Sequence, residues 1–162
     1  MQLAAGAPGG TSPPVAGGQG SPTVTIPRVE ETVEVDGRLD EPAWTGAARL
    51  VGFSQYRPVD GRPAEQPTEV LVWYSPSALH FGIVAHDDDA SSIRATLADR
   101  DNLDQEDTVT IFLDTFSDQR RAFFFTVNAL GVQQDGVQSE GTFNAGMIRG
   151  GPQADKNPDR SV

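Results

Sequence analysis

Apolar and polar positions alternate with a period of two through much of the middle of this chain. That spacing places every second side chain on one face of a β-strand. Residues 68–74 read Thr-Glu-Val-Leu-Val-Trp-Tyr, with Val70, Val72 and Tyr74 on one face and Leu71 and Trp73 on the other. After the Ser75-Pro76-Ser77 turn, residues 79–86 put Leu79, Phe81, Ile83 and Ala85 on a common face, so the pair predicts a β-meander. Residues 107–114, Asp-Thr-Val-Thr-Ile-Phe-Leu-Asp, alternate Val109, Ile111 and Leu113 with Thr110 and Phe112. Residues 116–121 read as a turn, and residues 122–128 and 132–137 as a hairpin around Leu130-Gly131. Nearer the start, residues 23–26 and 32–35 predict two short strands or an edge strand broken by Pro27. Residues 50–56 predict another extended segment, closed by Pro58 and Asp60-Gly61. Helices are few. Residues 40–48 form one capped by Asp40, with Pro42 in the first turn, where its missing N–H has no intrahelical partner. Trp44 then falls on the inward side and is expected to be largely buried. A second helix is expected over residues 91–98, capped by Asp89 or Ser91. Short strands separated by turn signals favour an all-β sandwich.

Gly, Ala, Pro and Ser dominate residues 1–22, which read as a disordered leader that cannot bury enough surface to offset its ordering entropy. Met1 to Ala7 lacks the charged start and apolar core of a signal peptide. The leader is therefore a linker or the tail of a longer signal. The remainder, residues 23–162, has the length of one domain with a substantial core. A net charge of −11 argues against nucleic acid and anionic membranes as partners. No apolar run approaches the ~20 residues that cross a bilayer. Cysteine is absent, so neither a disulfide framework nor a thiolate metal site is available.

Two blocks go further than class. Residues 35–44, Val-Asp-Gly-Arg-Leu-Asp-Glu-Pro-Ala-Trp, and the strand at 107–114, with residues 79–87 between them, resemble the family 9 carbohydrate-binding modules. The resemblance spans roughly residues 28 to 140. It is nearest to the branch found at the front of larger exported bacterial proteins that continue into a C-terminal outer-membrane β-barrel. It implies an all-β sandwich of the family 9 type whose last strands follow this segment, since Gly, Asn, Pro and Asp return after Gly141 and apolar periodicity stops. It also implies export to the periplasm, outer membrane or exterior, a linked downstream domain, and calcium held beside the strand end that aligns with Asp87. Such modules travel with glycoside hydrolases in carbohydrate catabolism, so any O-glycosyl hydrolase activity would belong to that neighbour. Sugar-binding members carry a stacking tryptophan, a strand glutamate and an arginine at positions matching Asp104, Thr110 and Thr126 here. All three are replaced, while Val127-Asn128 remain.

The residues themselves offer three candidate chemistries. Asp87, Asp88, Asp89, Asp99, Asp101, Asp104, Glu106 and Asp107 have only Arg94 and Arg100 nearby, a density of hard oxygens that suits calcium. EF-hand spacing fails, because Leu103 and Asp104 fall where a ligand and the turn glycine belong. A site would be assembled from separate loops, with Asp87, Asp88 and Asp107 as ligands; the alternative is a solvated acidic loop. His80 and His86 share a strand face and would need Asp88 or Glu69 to complete a metal site; otherwise they mark a polar, outward face. A poly- or oligosaccharide needs an aromatic platform with planar polar partners. Trp73, Asn128 and Gln133 are the main candidates, with Tyr74, Tyr56, Phe143, Arg57 and Glu69 behind them. No catalytic residue stands out. There is no Gly-x-Ser-x-Gly elbow and no phosphate-cradling loop, and chance carboxylate pairs among 23 acidic residues decide nothing.

Overall fold

A computed structural model of the chain describes residues 15–16, 23–56, 60–97, 99–100, 103 and 105–139. These are mostly β, with three small sheets and one short helix. The chain divides into two units, residues 1–88 and 89–162.

In the first unit, β2 (Ala48–Val51), β5 (Thr68–Tyr74) and β6 (Leu79–Ala85) form an antiparallel sheet. β1 (Val15–Ala16), from within the Gly- and Pro-rich leader, adds to it in parallel beside Leu50 and Val51. β3 (Ser54–Gln55) and β4 (Arg62–Pro63) make a separate hairpin. The expected meander is present: β5 and β6 pair from Thr68↔Ala85 to Tyr74↔Leu79 across the Ser-Pro-Ser turn. Helix α1 (Pro42–Thr45) is a single turn with Pro42 at its start and Gly46 at its end.

Three expectations change here: the helix over 40–48 shortens to Pro42–Thr45, its cap moves, and the strands before it are absent, while Trp44 packs against the core as expected. The N-cap position is held by Glu41, not Asp40, and Glu41 makes no side-chain cap bond. Its carboxylate instead accepts from Glu34 N–H (3.0 Å) and from the Trp44 indole N–H (2.9 Å). Trp44 is half-buried, packed against a core of Ala43, Ala47 and Trp73. Residues 23–35 form no strand. They run beside β5 through one bridge at Arg28, with Tyr74 N–H donating to Pro27 O (3.0 Å) and Val29 N–H to Tyr74 O (2.9 Å). Beyond that bridge Val29 and Val33 pack against the Trp73 cluster, between the exposed Glu30, Glu31 and Glu34, and Val35 is 97% exposed.

In the second unit, β7 (Thr108–Leu113), β8 (Arg121–Asn128) and β9 (Gln133–Ser139) form an antiparallel sheet, as the alternation implied. Gly131, at φ +82°, supplies the left-handed residue of the β8–β9 turn. Phe124 lies across Gly136: a Cβ there would sit 2.7 Å from the ring. Of the helix expected over residues 91–98, the described residues 91–97 contain only the end of a single 3-10 turn, Ala90–Ser92, capped by Asp89 as expected. The cause is local competition. Asp89 takes Ser91 N–H (3.0 Å), while Asp107 takes Arg94 N–H (2.8 Å) and Glu106 takes Thr96 N–H (3.2 Å). Of these, the Thr96 N–H is one a helix from residue 91 would have bonded to the carbonyl four residues back, and Leu97, 84% exposed, gives that stretch little apolar surface to bury in return.

Candidate functional site

Trp73, the first candidate for a sugar platform, is 0% exposed. It shares a sheet face with Leu71, which turns that face toward α1. The Trp44 ring meets it edge-on, with centroids 5.9 Å apart and planes at 76°, and His80 stacks on it at 3.7 Å and 9°. Trp73 and His80 are directly paired across β5 and β6, so the register itself creates the stack. Ser75 Oγ lies 3.3 Å from His80 Nε2. His80 therefore belongs to the core side of the sheet and not to a polar outward face, whereas His86, past the strand end, is exposed. The indole N–H of Trp73 is buried without a hydrogen-bond partner among the described residues.

Asn128, the second candidate, is 4% exposed and uses its full hydrogen-bonding capacity inside the protein. Its amide donates to Thr96 O (3.0 Å) and Glu106 Oε2 (2.6 Å). Its carbonyl oxygen accepts from Leu130 N–H (3.0 Å) and Val132 N–H (2.9 Å), closing the β8–β9 turn. Glu106 also accepts from the Thr96 hydroxyl. Bonds from Thr96 and then Asn128 hold the Glu106 carboxyl below its ordinary range. Beside this network, Thr110 and Thr126 face each other on β7 and β8, their hydroxyls 2.9 Å apart, with Thr126 buried. Gln133, the third candidate, is exposed at the start of β9, and its side-chain carbonyl accepts from Arg100 (3.3 Å). Arg100 also pairs with Asp135.

Of the other aromatic and polar candidates, Tyr56 is exposed and Tyr74 half-buried, while Arg57 and Phe143 lie outside the described residues. Glu69 is engaged by Arg49 through two parallel contacts of 2.6 and 2.7 Å. The guanidinium lowers the Glu69 pKa and is itself raised in return.

The calcium expectation named Asp87, Asp88 and Asp107. Asp87 and Asp88 belong to the first unit and Asp107 to the second. Asp88 accepts from the Gln66 amide (3.1 Å), and Asp107 from Arg94 N–H. Among the described residues, no three His, Asp or Glu side chains come together as a metal-holding group, and Asp101 and Asp104 lie outside those residues. In the acidic stretch, Asp89, Glu106 and Asp107 accept backbone N–H groups, and aspartates outside it do the same. Asp36 takes Arg38 N–H; Asp114 takes Phe116 and Gln119 N–H; Asp118 takes Arg120 and Arg121 N–H. Thus the two aspartates bracketing β7 are both loop clamps. No helix among the described residues is long and apolar enough to cross a membrane.

Comparison of the chain with protein-family models, with curated proteins and with solved structures gave no match.

Proposed function

We propose that this segment is a non-catalytic accessory domain of an exported protein, of the family 9 carbohydrate-binding-module type, with stacking-tryptophan sugar recognition lost. One observation carries the reading: the two residues best suited to hold a sugar, Trp73 and Asn128, are committed to the protein's own packing and hydrogen bonds. A buried indole offers no face for stacking, and an amide with four internal partners must break one to bind a hydroxyl. The Thr110–Thr126 pair adds support, because the resemblance puts a glutamate and an arginine at those positions and here two hydroxyls satisfy each other. The fold we propose is the sandwich of that family. Each of the two main sheets carries one largely apolar face, Val70, Val72, Phe81 and Ile83 in one and Val109, Ile111, Phe123 and Phe125 in the other.

The domain serves a linked neighbour, an outer-membrane β-barrel or a glycoside hydrolase, in which any membrane insertion or catalysis resides. A second reading retains carbohydrate binding at Gln133, favoured by its exposure beside Arg100 and Asp135. Chromogenic glycosides and immobilised polysaccharides test both. We expect neither turnover nor retention; turnover by the purified chain overturns the non-catalytic assignment, and retention that disappears in Gln133→Ala favours the second reading.

A further inference from the structure

Strand β6 lies at the end of its sheet, with β5 on one side and, among the described residues, no strand on the other. The pairing with β5 fixes which backbone groups face outward. Ser75 N–H donates to Ala78 O (2.8 Å) and His86 N–H to Pro67 O (3.0 Å), at the two ends of one continuous register. Antiparallel alternation then directs the groups of His80, Gly82 and Val84 to β5, and those of Leu79, Phe81, Ile83 and Ala85 outward. Natural sheets guard such edges with charges, prolines or bulges. β6 reads Leu-His-Phe-Gly-Ile-Val-Ala, with no Asp, Glu, Lys, Arg or Pro, in a chain of net charge −11.

We propose that the β6 edge pairs with β6 of a second copy of this chain, antiparallel and centred on Gly82. In that register Leu79 meets Ala85 of the second copy and Phe81 meets Ile83, so all four outward residues of each strand are hydrogen-bonded. Charge selects the orientation. Asp87 and Asp88 follow β6 immediately, whereas the residues preceding it are the neutral Ser75-Pro76-Ser77-Ala78. Antiparallel pairing sets Asp87 and Asp88 opposite Ser77 and Pro76, while parallel pairing would stack the acidic ends on one another. The same test rejects β7, the other uncharged edge strand of more than two residues among those described. Pairing β7 with itself about its middle would set Asp107 opposite Asp114 at both ends.

Sedimentation velocity of the full chain over a range of concentrations provides the test. The average mass should rise toward twice the monomer value, and more readily at high salt, which screens repulsion between two acidic copies. Ile83→Pro removes an outward N–H and leaves the β5 ladder intact, so it should stay folded, by circular dichroism and melting, yet remain monomeric. Because the chain has no cysteine, register can be read directly. An oxidised mixture of Leu79→Cys and Ala85→Cys should cross-link as the mixed dimer, and neither variant alone should do so. A wild type that stays monomeric throughout, a folded Ile83→Pro that still dimerises, or cross-linking of Leu79→Cys with itself would overturn the proposal.

Discussion

Gly82 is the position where one methyl group best measures how α1 packs on its sheet. The Gly82 backbone is not in the left-handed region, so alanine is compatible with its φ. A Cβ there would sit 2.8 Å from Leu39 Cδ2, 2.9 Å from Trp44 Cζ3 and 3.1 Å from Leu39 Cδ1. Leu39 ends in movable methyls. Trp44 does not yield as easily, because its indole N–H is bonded to Glu41 and its ring meets Trp73 edge-on. Overpacking of this kind costs about 1–3 kcal/mol. Against it stands about 0.4–1 kcal/mol from the lower unfolded-state entropy of alanine. Taking the middle of each range, Gly82→Ala should destabilise the chain by about 1.3 kcal/mol. Urea unfolding followed by tryptophan fluorescence suits the measurement, since the only two tryptophans, Trp44 and Trp73, both lie in this cluster. In a Leu39→Ala background the cost should shrink, as coupled neighbours require. A Gly82→Ala chain as stable as its parent, or an equal cost in both backgrounds, would refute this packing.

Trp73→Ala should cost about 3–5 kcal/mol, the range for emptying a large aromatic site; an unchanged urea midpoint would remove Trp73 from the core. Acid should weaken the fold through carboxylates whose pKa values lie below their ordinary range, Glu106 held there first by the Thr96 hydroxyl and Asp118 first by Arg120 N–H. Because those pKa values are lowered by folding, the stabilisation is present above the unfolded carboxylate range and is lost as pH falls through the folded values. Melting temperature should thus fall below about pH 5, with a shallower slope in Glu106→Gln; identical slopes would separate this network from acid stability. Calcium should leave the melting temperature as it is in chelator, since Asp88 and Asp107 already serve Gln66 and Arg94. A rise in calcium that Asp87→Asn abolishes would establish the site the acidic loops suggested.

The strands at 68–74, 79–85, 108–113, 121–128 and 133–139 were legible because two signals agreed there, period-two alternation and turn residues between the runs. The failures occurred where side chains compete for backbone. A window of helix-compatible residues over 91–98 cannot show that Asp107 and Glu106, thirteen and ten positions on, will take the N–H groups of Arg94 and Thr96. Burial of Trp73 followed from sharing a face with Leu71. The place of His80 did not, because alternation alone does not say which face α1 and Leu39 will cover. Asn128 is a candidate in the sequence as a planar polar partner for a sugar and as part of the Val127-Asn128 pair that the resemblance retains. Its turn-closing role had a local signal in Leu130-Gly131, two and three residues on, but its bond to Glu106 depends on a loop whose course the sequence does not encode locally.

Calorimetric titration of the chain with a panel of soluble mono- and disaccharides tests the loss of sugar recognition most directly. With Trp73 in the core and Asn128 saturated, we expect no dissociation constant tighter than ~1 mM, about −4 kcal/mol. Micromolar binding of a defined sugar by the folded chain would contradict the accessory-domain assignment and show that a platform other than Trp73 is in use.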